Sequence, residues 1–333
     1  MPGIKNLRRL QIGKETSDSG TAVAATTLLF FNGLWSDDRT TVFPEEYTGI
    51  LGGRDRNYIP ALKGTMAMDG EATFEQLPYI LEASIAATTP TTDTGTGYIY
   101  TYTFPTSTQG SINTYTIEGG DDNDEEEGSF AFVKDFTLSG NYGEAWMLSS
   151  NWEGQDVTSA NTFTPTTDLT IIDPEIMLFG LSRLYIDNDT DAIGTTQVSN
   201  TIINASLAVT SGWMSQHTAD NSLMFSFIKR PTFEAVLDIT FEHNSSAVAE
   251  KAAWRNKAAR LIRILVEGSA LTTSGVYAKK TVKIDLAGKW ESFDVISDVD
   301  GNDVVTGTFR ARYNATSGLF GSITVVNNLA TLP

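Results

Sequence analysis

The sequence predicts a mainly β protein with about one helix in each half of the chain. Threonine, valine, isoleucine and aromatic residues alternate in short runs that glycine, asparagine and aspartate interrupt, a pattern typical of β-strands. The 333 residues include 44 threonines and 28 glycines, whereas helical patterns are few. A stretch near the amino terminus also recurs in the second half, which indicates two copies of one structural unit.

Each element is predicted from its local pattern. A capping box at Thr73–Gln76 predicts a helix within Glu71–Ile85, where Pro78 implies a kink or a late start. The alanine-rich segment Ser246–Ala259 contains no helix breaker and predicts the second helix, followed by a strand at 261–266. Further strands are predicted at Tyr98–Phe104, Ile112–Ile117, Phe130–Leu138, Ala145–Asn151, Leu223–Ile228, Glu234–Phe241, Val276–Leu286 and Val304–Tyr313.

The internal repeat is the most informative feature of the sequence. The segment Leu7–Ile12 recurs 174 positions later as Leu181–Ile186. Extended over 15 positions, the two stretches share 7 identical residues, where residue frequencies predict about one. Chance similarity among threonine-rich strands is the alternative to a duplication.

Two later matches in the same order support the duplication. Met66–Asp69 resembles Ile239–Glu242 at an offset of 173, and Trp152–Val157 resembles Val299–Val304 at an offset of 147. The falling offset indicates an insertion in the first copy. The segment Ala86–Gly110, rich in threonine, glycine and proline, has about the right length and is expected to be an exposed excursion.

The repeat sets the predicted domain boundaries. We expect a first domain at 1–160, which contains the insertion at about 86–110 and an acidic tip at 121–127. A second domain is expected at 161–333, and the join lies in the threonine- and proline-rich stretch Thr158–Pro174.

The charge and residue types exclude several classes of function. The chain has 41 acidic and 23 basic side chains, a net charge of −18, which has the wrong sign for binding a phosphate backbone. It has no cysteine, two histidines and no nucleophile elbow, so we expect no catalytic activity and no cofactor. The most apolar stretch, Ala22–Trp35, is too short for a membrane span, so no membrane partner is expected.

Three aspartates form a candidate calcium site. Asp187, Asp189 and Asp191 give the D-x-D-x-D opening of a calcium-binding loop. A loop of that kind needs glycine at position six and glutamate at position twelve, where this chain has Ala192 and Val198. A polar turn is therefore the favoured interpretation, and we predict no metal.

An acidic cluster between two glycine positions predicts a hairpin tip, because like charges are tolerated in full solvent. The sharper hypothesis is a docking surface for basic residues of a neighbouring molecule. Its members are Asp121, Asp122, Asp124, Glu125, Glu126 and Glu127.

The segment Asp37–Pro60 has few strand signals for its length. A loop this long is usually functional or becomes ordered by a partner. A flexible surface loop is the alternative.

Together, the repeat and the strand pattern resemble the tail tube (major tail) proteins of long, non-contractile phage tails. The resemblance covers most of the chain, although the insertion and the acidic tip lie outside it. It is carried by Leu7–Gly20, Leu62–Thr65, Phe74–Leu81, Ser111–Gly119, Val133–Gly154, Leu178–Thr190, Val282–Val304 and Thr306–Asn327.

The resemblance implies two tandem β-sandwich or half-barrel domains, each with one flanking α-helix. The sheets of neighbouring subunits are expected to join into a β-barrel that lines a tube. A tandem duplication implies three chains in a pseudo-sixfold ring. The rings stack, and a long loop reaches the next ring. We identify this loop with 37–60 and its contact candidates with Tyr47, Arg54, Arg56 and Tyr58.

The resemblance also implies partners and a location. Double-stranded DNA passes through the tube without tight binding, and an acidic wall that repels phosphates suits that role. The implied protein partners are further copies of the chain and the tail tape measure, tail terminator and distal tail proteins. The chain is expected in the virion, after assembly in the cytoplasm of the host bacterium.

Two other functions are left open by the sequence. A different virion component, such as a capsid subunit, could share this composition. A secreted glycan-binding or glycosidase-like β-sandwich would also suit it, and would bind sugar through exposed Trp35, Trp146 or Trp213.

Overall fold

Strands account for 48% of the residues in the computed structural model and helices for 9%, which confirms the predicted mainly β class. The structure describes residues 4–16, 20–121, 123–160 and 163–333. The strands of the first half are β1 (Arg9–Lys14), β2 (Thr27–Leu28), β3 (Asn32–Asp38), β4 (Lys63–Glu71), β5 (Thr91–Thr92), β6 (Tyr98–Thr103), β7 (Tyr115–Gly120), β8 (Glu125–Asn141), β9 (Met147–Gly154) and β10 (Asp156–Ala160).

The second half continues this numbering. Its strands are β11 (Ser182–Asn188), β12 (Gln197–Val198), β13 (Ile202–Thr210), β14 (Met214–Gln216), β15 (Phe227–Lys229), β16 (Glu234–Glu242), β17 (Ala259–Ala270), β18 (Lys279–Phe293), β19 (Ser297–Val299), β20 (Asn302–Ala311) and β21 (Gly321–Asn327). Short 3-10 helices lie at Lys5–Leu7, Thr166–Asp168 and Phe179–Leu181.

Two α-helices occur in the described ranges, α1 (Leu77–Ser84) and α2 (Ser245–Arg255). α1 begins late, as Pro78 predicts, because proline fits the first turn of a helix, where its missing N–H costs nothing. The side chain of Asn244 caps α2 by accepting two backbone N–H groups. α2 ends four residues before the predicted Ala259, because Lys257 has a positive φ of 56° and turns the chain into β17.

The strand pairings of the first half recur in the second half. β1 pairs with β2 and β7, β7 with β8, β8 with β9 and β10, β9 with β4, and β4 with β3. In the same order, β11 pairs with β12 and β17, β17 with β18, β18 with β20 and β21, β20 with β16, and β16 with β13. All of these pairs are antiparallel, as in any chain of hairpins.

The residues that lie opposite each other in paired strands show which positions of the first half correspond to which positions of the second half. Ile12 lies opposite Ile117 in the first half, as Ile186 lies opposite Ile262 in the second, which agrees with the opening sequence match. β8 and β18 each carry a register shift on the side that faces β9 and β20, after Val133 and after Trp290 respectively.

The two later sequence matches are wrong in register. Aligning the register shifts of β8 and β18 makes Trp152 correspond to Phe309, and not to Val299. Met66, which lies opposite Trp152, then corresponds to Leu237, which lies opposite Phe309. The Met66 match is off by two residues, which leaves every side chain on the same face of a strand, so the hydrophobic pattern alone could not detect the slip. The Trp152 match is off by ten residues, because it aligns the end of β9 with the β19–β20 hairpin.

The insertion Ala86–Gly110 is not the exposed excursion that its composition predicted. It contains β5 and β6, and β6 pairs with β21 of the second half. Tyr100, Tyr102 and Phe104 are buried, because aromatic residues alternate along this strand and point into the core. The predicted strand Leu223–Ile228 is also largely wrong, since β15 begins only at Phe227.

The halves are joined by a pairing between β8 and β13, in which Asp135–Asn141 lies opposite Asn204–Thr210. Leu138 and Leu207 face each other across this junction and are fully buried. A continuous core includes residues of both halves, with Trp146 and Trp152 among its largest side chains. Neither helix of the described chain has the length and apolar character needed to cross a membrane.

Candidate assembly surfaces

Eight strands follow one another through their pairings in the order β3, β4, β9, β8, β13, β16, β20 and β18. Alternate residues, such as Trp35, Leu138 and Leu207, are buried on one side. The other side carries small polar residues, such as Thr137, Ser149 and Ser206, and we call it the eight-strand face. Its charged residues include the acids Asp69, Glu71, Asp135, Glu234 and Asp238 and the bases Lys63 and Arg310.

Both ends of this strand order are open. Among the described residues, β3 pairs with β4 and with no other strand, and we call its free side the β3 edge. At the other end, β17 stops at Ala259, opposite Lys289 of β18. Residues 290–299 therefore have no strand on that side within the described ranges, and we call them the carboxyl-terminal edge.

Helix α2 covers part of the carboxyl-terminal edge with two side chains. Trp254 Nε1 donates to the carbonyl of Glu291 at 3.0 Å, and Lys251 Nζ donates to that of Asp294 at 3.2 Å. Val295 and Ile296 lie exposed beyond these contacts. They lie in the short extended link between β18 and β19, and exposed apolar residues beside an open strand edge are a potential pairing site for another chain.

A groove of about 760 Å³ runs along the β3 edge. Asn32, Gly33 and Leu34 line it on the strand side, and Lys5 and Arg8 line it on the side of the amino-terminal segment. With Arg9 also in its lining, the groove carries three basic side chains against the acid Asp69, beside unpaired strand backbone.

Residues 39–62 connect β3 to β4, and we call them the arm. Most of its side chains are exposed, including the apolar Phe43, Tyr47 and Leu51. A bridge between Val42 and Tyr58 closes its base.

The four predicted contact residues lie in different parts of the arm. Tyr58 lies at its base, and Arg56 Nη1 lies 2.9 Å from Glu46 Oε1 in an exposed ion pair. Tyr47 and Arg54 lie farther out and are exposed. The predicted long, solvent-facing loop is thus present, although Asp37 and Asp38 belong to β3.

The segment 211–233 connects β13 to β16 and holds the position in the second half that the arm holds in the first. It is packed down on the end of α1, where Trp213 Nε1 donates to the carbonyl of Ser84 at 3.1 Å. Arg230 donates to the carbonyls of Ser84 and Ile85, and burial lowers the pKa of Arg230 to about 10. These contacts satisfy carbonyls that a helix end leaves without partners.

The acidic cluster lies at the turn of the β7–β8 hairpin, as predicted, but only part of it forms the tip. Asp121 and Asp124 lie in the turn between β7 and β8, while Asp122 lies outside the described residues. Glu125, Glu126 and Glu127 belong to β8 and are partly buried between β7 and β10, so full solvent exposure was wrong for them.

Burial changes the ionisation of two of these glutamates. Burial, followed by repulsion from Glu118 and Glu15, raises the pKa of Glu127 above its ordinary value. Burial also raises the pKa of Glu126, with a further contribution from Asp124 and Asp37. The start of β8 is therefore a place where negative charge destabilises the fold.

Replacing Glu127 with glutamine is expected to raise the melting temperature at pH 7. A carboxyl with a raised pKa binds more protons in the folded state, so its penalty is present at neutral pH and disappears as the pH falls through that pKa. We expect a gain below about 1 kcal/mol, because solvent screens this partly exposed side chain. Calorimetry between pH 7 and pH 4 should show the gain shrinking, whereas Glu45→Gln on the exposed arm should show none.

The candidate calcium residues do not form a common site. Burial would raise the pKa of Asp187, but hydrogen bonds from the hydroxyl of Thr195 and from the backbone N–H groups of Gly194 and Thr196 lower it. The side chains of Asp189 and Asp191 accept instead from the amides of Asn314 and Asn188. Across the described ranges, no group of three or more acidic or histidine side chains could hold a metal ion.

The tryptophans proposed for sugar binding are all buried. Trp35 Nε1 donates to the carbonyl of Ile117 at 2.8 Å, and Trp146 and Trp213 are enclosed in the two core clusters. The exposed aromatic platform that the glycan-binding alternative requires is therefore not built from these three residues.

The open edges were missed by the sequence reasoning. Val295 and Ile296 lie between β18 and β19, and their local signal is an apolar pair among acidic residues. No family model matches the chain, and a search of curated proteins gives no match.

Proposed function

We propose that the chain is a structural virion protein that assembles into stacked rings and forms the tube of a long, non-contractile phage tail. The observation that carries the proposal is the β8–β13 junction, where two halves with the same pairing pattern join into one sheet. A junction between unlike ends of similar units can repeat until a ring closes. Two such units per chain make three chains the natural number for a pseudo-sixfold ring.

The dimensions of such a ring suit a channel. Three copies of the eight-strand order give a barrel of 24 strands. With a strand spacing of about 4.8 Å and a tilt of about 40°, its backbone would be roughly 40–50 Å across. That diameter leaves room for a DNA duplex.

The eight-strand face has suitable chemistry for the inner wall. Its residues are mostly small and polar, and its acids outnumber its bases. An acidic wall repels phosphates, so DNA passes without being held. In this arrangement the outer part of the arm, around Tyr47 and Arg54, remains free to reach the next ring, and the tape measure, terminator and distal tail proteins meet the ends of the tube.

Electron microscopy of the purified full chain at high concentration tests the proposed function. We expect hollow rings or tubes whose end views show three chains and near-sixfold symmetry. Six full chains per ring would contradict the pairing of two units per chain. Closed shells would favour a capsid role, and solid fibres would contradict a channel.

A further inference from the structure

We infer that the carboxyl-terminal edge of one chain pairs, antiparallel, with the β3 edge of a second copy, in the register of the β8–β13 junction. This inference rests on the proposed self-assembly and specifies its interface. The junction within the chain provides the template, because β8 corresponds to β18 and β13 corresponds to β3 in the repeated pairings.

The correspondence fixes a register. Asp135–Asn141 of β8 corresponds to residues 292–298, and Asn204–Thr210 of β13 corresponds to Asn32–Asp38, which is the whole of β3. In β8 and β13, Ser139 lies opposite Ser206. The equivalent residues between two chains are Ile296 of one chain and Leu34 of the next, which therefore lie opposite each other. Among the described residues no strand pairs with either segment on the required side, although Lys251 Nζ donates to the carbonyl of Asp294.

The exposure of Val295 in the single chain supports this register. In the single chain its side chain is 83% exposed, while Leu138, at the corresponding position of β8, is 0% exposed. Pairing with a second copy would place Val295 opposite Trp35, as Leu138 lies opposite Leu207. An apolar side chain that is open in one copy would thus become buried in the assembly.

Charge also favours a second copy as the occupant. Asp294, Asp298 and Asp300 are exposed along and just beyond the carboxyl-terminal edge. In the inferred register Asp298 lies opposite Asn32, beside which Lys5 and Arg8 line the groove. The attraction between these opposite charges acts at the Asn32 end of β3, because Asp121, Asp124 and Glu126 lie beside Leu34 and Trp35 farther along the same edge.

The base of the arm extends the same interface. Beyond Lys289, a cavity of about 390 Å³ is lined by Trp290, Arg312 and Tyr313 among others. In the first half the corresponding place is occupied by the segment after β13, where Trp213 packs with Phe130 and Phe132. In the second half the segment after β3 of the next copy would occupy it, with the exposed Phe43 as its anchor.

Disulfide cross-linking tests the inferred register, because the chain has no cysteine of its own. We expect the variant Leu34→Cys/Ile296→Cys to lose most of its monomer band on mild oxidation and to give covalent oligomers. Residues opposite each other in an antiparallel pair lie within the Cα separation that a disulfide spans.

Two matched variants control the experiment. Ser139→Cys/Ser206→Cys should form a disulfide within one chain, which verifies that this geometry oxidises. Ser36→Cys/Ile296→Cys is out of register by two residues and should remain largely monomeric.

The outcomes separate the interface from the function. If the variant with Leu34→Cys stays monomeric while the wild-type chain forms tubes, the inferred edge pairing is wrong and the proposed function stands. Covalent oligomers without hollow rings would support the interface and contradict the tube. If the control within one chain oxidises but neither oligomers nor rings form, both proposals are overturned.

Discussion

Replacing Val295 and Ile296 together with lysine is expected to abolish ring formation while leaving the single chain folded. Both side chains are exposed, so the substitutions should change the free energy of unfolding by no more than about 0.5 kcal/mol. In the inferred interface, however, one lysine would enter the core of the neighbouring chain. Since an unpaired charge is very costly to bury, we expect self-association to weaken by about 100-fold or more.

Sedimentation velocity over a range of concentrations measures this effect. Val276→Lys/Ile171→Lys is the matched control, since it adds the same charge at two exposed apolar positions away from both edges. Unchanged association of the edge variant, or an equal loss in the control, would contradict the assigned interface.

Replacing Lys280 with methionine is expected to give the largest loss of stability among the variants considered. Lys280 Nζ lies 2.6 Å from Glu75 Oε1 and 3.1 Å from Glu175 Oε2. It therefore connects β18 to the turn that precedes α1 and to the segment that precedes β11. Burial opposes its charge, but the contacts with Glu75 and Glu175 outweigh burial and raise the pKa of Lys280. Glu75 is 1% exposed and would be left without its cation.

We expect this variant to lose about 3 kcal/mol, because removal of one partner leaves a buried charge uncompensated. Chemical denaturation at pH 7 measures the loss. The double variant Lys280→Met/Glu75→Gln removes that charge and should be more stable than Lys280→Met alone. Glu75→Gln is also measured alone. If the double variant loses as much stability as Lys280→Met and Glu75→Gln lose together, the ion pair is not the cause.

The sequence patterns predicted local structure well where the signal was itself local. One hydrogen bond of the predicted capping box, from the N–H of Gln76 to Thr73 Oγ1, is present, while the side chain of Gln76 bonds to Leu28 and Phe30 instead. The late start at Pro78 and the alternation along β8 also depend on neighbouring residues, and both occur in the structure. The opening repeat was also correct, because identical residues at Leu10 and Leu184 occupy equivalent strands. The match at Met66 failed because a period of two residues does not fix the register of a strand. The match at Trp152 failed because it aligned the end of β9 with the β19–β20 hairpin.

The sequence by itself determined the mainly β class, the two helices and the presence of a repeated amino-terminal strand, since periodicity, capping and turn residues act over a few positions. The tertiary structure alone decided where β6 inserts, why Glu127 is partly buried and which strand edges stay open. These features depend on pairings between residues far apart in the chain. The open edges have a further physical origin: β8 is completed by β13 of its own chain, whereas the corresponding part of β18 meets no such strand in the described chain.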